Sequence, residues 1–89
     1  AMSDFLLHEL AALGDWKQME VLFRVNGVKD IDLRDDDFEG QTALHWAVDK
    51  ENYKMVKMLV ENKSYLQCRD IIGRTPLYIA LKKKNVKIV

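Results

Sequence analysis

The sequence has no long apolar run, almost no cysteine and no excess of either charge, and each lack excludes a class of protein. No stretch of roughly 18 apolar residues exists, so no membrane span is predicted. The single cysteine, Cys68, excludes an internal disulfide. Fourteen basic side chains balance 14 acidic ones, so no global charge favours nucleic acid. No signal peptide is visible, and we expect a cytoplasmic (intracellular) protein that binds no nucleic acid.

Residues that catalysis or metal binding would need are scarce. No nucleophile, base and orienting group stand at a catalytic spacing, and no glycine-rich phosphate loop is present. His8 and His45 are the only histidines, and no cysteine or carboxylate spacing completes a zinc site. The acidic run Asp35–Asp37 lacks the spacing of a calcium loop and is interpreted as a solvated turn. We therefore expect no enzymatic activity, no cofactor and no metal.

What the sequence does contain is a segment that recurs after 33 residues. Gly40–Ala47 (GQTALHWA) returns as Gly73–Ala80 (GRTPLYIA). The threonine of each copy predicts a helix N-cap, because its hydroxyl can accept a hydrogen bond from an early helical N–H. Pro76 then stands at the first helical position, where its missing N–H costs nothing. Internal repetition at such a period is typical of repeat architectures.

The segment resembles the ankyrin signature G-x-T-P-L-H-x-A, whose period is about 33 residues. Ala43 replaces the proline of one copy, and Tyr78 replaces the histidine of the other. The resemblance implies an all-α ankyrin-repeat solenoid of helix–turn–helix units with short β-hairpin fingers. We expect one domain over residues 1–89, with a divergent first repeat over about 4–36, a second over about 37–69 and an incomplete third over 70–89.

Apolar spacing and turn residues place the elements within these repeats. Ser3 or Asp4 is predicted to cap the first helix, and the segments ending in Asp-x-x-Gly, at Gly40 and Gly73, predict finger turns. Ile88–Val89 are expected to begin a sixth helix. Five helices are predicted over about 5–12, 16–23, 43–50, 53–61 and 76–83.

Three individual residues have roles that the resemblance implies. His45 is expected to bond its ring to Thr42 at the head of its own helix. Cys68 stands where a small residue is usual and is interpreted as a packed hydrophobe. Trp46 borders the concave surface, where it is either a packing residue at the base of the fingers or an anchor for a partner.

The family resemblance further implies a protein-interaction module that uses its concave surface, between the fingers and the first helices. Phe38, Ile71 and Ile72 are apolar at positions expected to be exposed, and contiguous exposed apolar groups mark interaction sites. The residues expected to contact a partner are Phe38, Glu39, Gln41, Trp46, Asp49 and Lys50 in the second repeat and Ile71, Ile72, Arg74, Ile79, Lys82 and Lys83 in the third.

Other hypotheses remain open at this point. Leu44–Asp49 (LHWAVD) is similar to a run in ankyrin regions attached to acyl-CoA-binding domains. This resemblance would make the chain an ancillary segment of a larger acyl-CoA-binding, lipid-metabolic protein, with the ligand site outside this chain. A structural spacer is a further possibility. The incomplete third repeat also predicts an uncovered face with Met55, Val56 and Leu59, and hence weak self-association through the C-terminal end. The contrasting expectation is a monomer with a frayed terminus.

Overall fold

Five α-helices follow one another in the part of the chain that this computed structural model describes, residues 6–25 and 28–83. The expected all-α repeat fold is confirmed, and the helix bounds differ from expectation by only one residue. The predicted caps Ser3 and Asp4, and the helix expected to begin at Ile88–Val89, lie outside the described residues. The helices are α1 (Leu6–Leu13), α2 (Trp16–Arg24), α3 (Ala43–Asp49), α4 (Tyr53–Glu61) and α5 (Pro76–Lys82).

The turns from α1 to α2 and from α3 to α4 are built alike. Gly14 and Glu51 have positive φ angles of 74° and 57°, which reverse the chain after the first helix of each pair. The next residue then caps the second helix: the side chain of Asp15 accepts from the N–H of Gln18, and that of Asn52 from Met55. Two residues between α1 and α2, and three between α3 and α4, are therefore enough to fold each helix back on its predecessor.

Stacking of these helix pairs produces two layers. The first layer consists of α1, α3 and α5 in contact, and the second has α2 packed against α4. Alanines at the contacts, among them Ala11, Ala47 and Ala80, are almost fully buried and allow the helices to approach closely. Met19, Leu44, Met55 and Leu59 are fully buried between the layers. Each such side chain contributes about 1.5–3 kcal/mol of burial free energy.

The two fingers contain less β-structure than the family pattern implies, since the described residues have one isolated bridge, between Asp35 and Gln41. The first finger, residues 35–41, is closed by Asp35 N–H donating to Gln41 O at 2.9 Å. The second finger, residues 70–74, is closed in the same way by Asp70 N–H donating to Arg74 O at 2.9 Å. The first finger is thus two residues longer than the second.

The longer first finger accommodates a short 3₁₀ helix, Asp36–Phe38. The side chain of Asp35 caps this helix by accepting from Asp37 N–H at 3.0 Å, and Gly40 N–H donates to Asp35 O at 2.9 Å. The Asp-x-x-Gly spacing predicts Asp37 as the turn-forming aspartate of the first finger, equivalent to Asp70 in the second. In the folded chain Asp35 has that function, because the 3₁₀ helix takes up the two additional residues.

An apolar groove of about 780 Å³ is lined by residues of α3, α4 and α5 and of the segment that follows α4. Met55 and Leu59, which were expected on the uncovered face, are instead fully buried in the core. The groove is lined in part by Val56, Val60, Leu66 and Leu77, of which the last three are exposed. Of the three residues expected on an uncovered face, Val56 alone lines this groove in the described part of the chain.

Candidate functional site: the two-finger surface

Asp70 organises the second finger through its buried carboxylate. One oxygen accepts from Ile72 N–H at 3.0 Å and from Arg74 N–H at 2.8 Å. The other accepts from Arg74 Nε at 2.7 Å and from Gln41 Nε2 at 3.3 Å. Burial by itself would raise the pKa of Asp70, but the bonds from Arg74, Gln41 and Ile72 outweigh it and lower the pKa to about 2. Asp70 is therefore ionised at neutral pH and fixes the shape of the turn.

The same network joins the second finger to the first. Arg74 forms an ion pair with Glu39 in addition to its pair with Asp70. The backbone adds a direct link, since Ile71 N–H donates to Glu39 O at 2.7 Å. Hydrogen bonds and nearby charge from Asp70 and Glu39 raise the pKa of Arg74. Because side chains and backbone both connect the fingers, they present one continuous surface.

Apolar side chains occupy that surface. Phe38 is 53% exposed, Ile71 69% and Ile72 65%. The two fingers lie side by side at Gly40, where a Cβ atom would be 3.3 Å from Cγ2 of Ile71. Phe38, Ile71 and Ile72 are called the finger patch below. Exposed apolar groups this large, on a structured surface, are characteristic of interaction sites.

Trp46 lies at the base of the first finger, on α3. Its ring meets that of Phe38 edge to face, with 5.3 Å between centroids and an interplanar angle of 76°. The indole is partly buried and packs against the core. Within the described residues its buried Nε1 has no hydrogen-bond partner. These contacts favour packing below the finger patch, while a direct partner contact by Trp46 stays a prediction.

The remaining residues predicted to contact a partner fall into two other environments. Ile79 is only 7% exposed and belongs to the hydrophobic core, so it is not available for the partner contact that the sequence predicts. Asp49 and Lys83 form an ion pair with 3.7 Å between their charged atoms. Lys50 and Lys82 are exposed beside this pair. These four lie at the C-terminal ends of α3 and α5, about 10 Å along each helix from the fingers.

The two histidines connect successive repeats. His45 Nδ1 accepts from Thr42 N–H at 3.1 Å and so closes the predicted bond with the head of its own helix. Its Nε2 lies 2.8 Å from Arg74 O, and Nε2 of His8 lies 2.9 Å from Gln41 O. Each histidine thus reaches the residue that closes the next finger. Burial lowers the pKa of His45, which keeps the ring neutral.

Cys68 is buried next to this histidine, as expected of a packed small residue. Its sulfur lies 3.4 Å from Oγ1 of Thr42, and burial raises the pKa of the thiol. A thiol in such an environment stays protonated and weakly reactive.

Residues 6–25 and 28–83 contain neither a metal-binding cluster nor a membrane-spanning helix. No three histidine, cysteine or carboxylate side chains in these ranges lie close enough together to hold a metal ion. None of the helices in the same ranges is both long enough and apolar enough to span a bilayer.

Comparison with known proteins identifies the repeat. The family model described as ankyrin repeats (3 copies) matches residues 7–89. The human transient receptor potential cation channel subfamily A member 1 is 32% identical over 88 residues, which cover 99% of this chain and 8% of that protein. The zebrafish (Danio rerio) palmitoyltransferase ZDHHC17 is 37% identical over 54 residues, 61% of this chain and 9% of that protein. The interferon antagonist OPG039 of monkeypox virus is 34% identical over 88 residues, 98% of this chain and 30% of that protein. The chain spans less than a third of the length of each of these relatives.

Proposed function

This chain belongs to the ankyrin-repeat family, and we propose that it is a protein-interaction module whose partner binds across the two fingers. Repeat proteins of this kind generally offer extended concave surfaces for protein binding. The matched relatives include an ion channel, an acyltransferase and a viral antagonist. The region they share with this chain is therefore better explained by binding than by one common chemistry. We propose no catalytic role and an intracellular location, where ankyrin repeats are common.

The observation that carries this proposal is the finger patch. Phe38, Ile71 and Ile72 are each more than half exposed, although the backbone beneath them is held by the bonds of Asp70 and Glu39. An ordered apolar surface loses little conformational entropy when a partner covers it. Such anchors supply most of the binding energy in protein interfaces.

The other predicted contacts are assigned by their position relative to this patch. Glu39, Gln41 and Arg74 position the fingers and form the polar margin of the patch. Trp46 supports Phe38 from below. Asp49, Lys50, Lys82 and Lys83 are proposed as an outer rim, which affects affinity less than the apolar centre does. Ile79 is left out of the proposed surface because it is buried.

The proposal is tested by partner capture followed by affinity measurements on variants. Phe38→Ser and Ile71→Ser each remove one exposed side chain of the finger patch. Leu13→Ser is the matched control, since Leu13 is 79% exposed on α1 and lies outside the patch. We expect each finger variant to weaken binding of the captured partner at least about tenfold, because anchors of this kind are worth about 1–2 kcal/mol or more. The proposal would be contradicted if the finger variants bound the partner as tightly as the wild type, or if only Leu13→Ser lost binding.

The apolar groove beside α5 supports a second proposal, weak self-association of the chain through its C-terminal side. Val60, Leu66 and Leu77 are exposed along it, and identical chains most often associate as closed two-fold pairs. Sedimentation at several concentrations compares the wild type with Leu77→Glu. We expect a concentration-dependent mass that the variant abolishes. A monomer at every concentration would favour the contrasting expectation, a monomer with a frayed terminus.

The acyl-CoA hypothesis depends on the run Leu44–Asp49 alone. Leu44, Ala47 and Val48 of this run are buried in the core, so shared packing suffices to explain the similarity. The relatives named above lend this hypothesis no support. Calorimetry with a long-chain acyl-CoA is expected to give no binding by this segment, because the hypothesis itself places the ligand site outside it; saturable binding would instead assign a lipid ligand to the segment.

A further inference from the structure

The first finger is acidic in a chain that is neutral as a whole. Residues 34–39 contain one cation, Arg34, and four carboxylates, Asp35, Asp36, Asp37 and Glu39. Asp35 is buried and caps the 3₁₀ helix, and Glu39 pairs with Arg74. Asp36 and Asp37 are exposed, and neither forms an ion pair with any residue in the described part of the chain. Two uncompensated negative charges thus lie directly beside Phe38.

The three arginines of the two finger segments do not neutralise this negative charge. Arg74 is committed to Asp70 and Glu39. Arg34 and Arg69 are the other cations, and Arg34 donates from Nε to the carbonyl of Gly40 at 3.1 Å. Over residues 34–41 and 69–74 together, three arginines stand against five carboxylates, which leaves a net charge of −2. The surface is therefore apolar at its centre and negative on its first-finger side.

We propose that the finger surface recognises a partner segment in which apolar residues adjoin lysine or arginine. This inference rests on the proposed function, since it names the chemistry of the partner at that site. Apolar side chains of the segment contact Phe38 and Ile71, and a neighbouring cation lies against Asp36 and Asp37. Complementary charge at the margin of an interface accelerates association and selects among partners. An acidic segment in the same place would meet repulsion from both carboxylates.

An extended segment fits the spacing of the fingers. The fingers touch where Ile71 N–H donates to Glu39 O at 2.7 Å, and the helices that follow them, α3 and α5, pack roughly 8–10 Å apart, so the exposed side chains of the two fingers are expected within about 10 Å of one another. In an extended chain of the polyproline II type, with three residues per turn and a rise of about 3.1 Å per residue, residues three positions apart share one face and lie about 9 Å apart. A segment with two apolar residues three positions apart can therefore contact both fingers, and a cation next to the first of them faces the acidic side.

The test uses three synthetic peptides of about twelve residues on a soluble glycine–serine background. One carries two leucines, three positions apart, flanked by lysines; the second has glutamates in place of the lysines; the third has the lysines and no leucine. Binding is followed by amide NMR shifts at low salt. We expect shifts at residues 35–41 and 70–74 with the first peptide, and affinity about tenfold higher than for the second, because each exposed charge contact changes affinity a few fold.

Charge reversal identifies the residues responsible. Asp36→Lys/Asp37→Lys is expected to exchange the preference, so that the glutamate peptide binds more tightly. Glu20→Lys/Glu61→Lys makes the same change of charge on α2 and α4 and is expected to leave the preference unaltered. Both substituted pairs are exposed or near the surface, so the fold is expected to tolerate them, and the peptide-free NMR spectrum verifies this.

Several results would overturn the inference. They are equal affinity for the lysine and glutamate peptides, a preference that survives reversal at Asp36 and Asp37, equally tight binding of the peptide without leucine, or no shift at the fingers with any peptide. The proposed function fails separately, by the Phe38→Ser and Ile71→Ser criterion applied to the captured partner. A partner lost in those variants but without basic residues at its contact would leave the interaction module standing and refute its charge preference.

Discussion

Replacing Asp70 with asparagine is expected to loosen the finger surface and to lower the stability of the whole chain. The substitution keeps the size of the side chain and one acceptor oxygen for the N–H groups of Ile72 and Arg74. The new amide group, however, would face Nε of Arg74 and Nε2 of Gln41, the donors that now reach the second carboxylate oxygen. Donor would then meet donor in a site that is 3% exposed, and buried donors without acceptors are costly.

The size of the effect follows from the pKa of Asp70. The pKa falls from an ordinary value of 3.8 to about 2 in the folded chain, and each unit corresponds to about 1.4 kcal/mol. The ionised carboxylate thus contributes about 2 kcal/mol to the free energy of unfolding at neutral pH. Domains of this size are stable by roughly 5–15 kcal/mol in total. A loss of about 2 kcal/mol should lower Tm by roughly 10 °C.

The contribution of Asp70 to the free energy of unfolding depends on pH in a defined direction. Because the pKa of Asp70 is lower in the folded chain than in the unfolded chain, its contribution is fully present above about pH 4. It is lost as the pH falls from there towards the folded pKa of about 2. His45 acts in a separate range, since its pKa is lowered from 6.5 by burial and stability declines as the pH falls below that value. Because the charge of Asp70 is one of the influences that raise the pKa of His45, the role of Asp70 is judged from the closing of the gap below about pH 4 and not from a difference near pH 6.

Urea unfolding followed by circular dichroism, at several pH values between about 7 and 2.5, measures this difference. We expect Asp70→Asn to be less stable than the wild type by about 2 kcal/mol at neutral pH and at about pH 5, with the gap closing below about pH 4. Asp49→Asn is the control: its side chain is 45% exposed in a single ion pair with Lys83, and we expect a change below about 0.5 kcal/mol. A gap that stays constant with pH, or one no larger than that of the control, would refute the assigned role of Asp70.

Three further substitutions test the packing and turn arguments. Glu51→Gly should raise the free energy of unfolding by about 0.5–1 kcal/mol, because φ is 57° at this residue and glycine adopts that conformation without strain; a decrease in urea unfolding experiments would contradict this. Leu59→Ala should cost about 2–5 kcal/mol, since Leu59 is fully buried, whereas Val60→Ala on the exposed side of α4 should cost far less. Trp46→Ala should lower the free energy of unfolding by about 1–3 kcal/mol, less than truncation of a fully buried tryptophan would. It should weaken partner binding by more than it lowers stability. A stability loss of about 3–5 kcal/mol with unchanged affinity would assign Trp46 to packing alone.

The sequence by itself determined the repeat, the helices and most of the buried face, because these depend on local signals. Thr42 and Thr75 mark helix starts through bonds to residues three positions ahead. Gly14 marks a helix end through its own backbone conformation. Exposed apolar residues in the fingers, such as Phe38, could also be predicted, since a 33-residue period assigns each residue to an equivalent place in its repeat.

Only the tertiary structure decided how the fingers and helices of successive repeats are connected. The bond from Ile71 to Glu39, and the ion pair of Arg74 with Glu39, join residues 32 and 35 positions apart, and no local pattern indicates them. Asp35 rather than Asp37 forms the turn of the first finger because of the position of the 3₁₀ helix. Burial of Ile79, next to the exposed Tyr78, depended on the direction from which α5 packs on α3. Periodicity assigns a residue to a helix or a finger, but only the packing of one repeat on the next decides whether its side chain contacts the core, another finger or solvent.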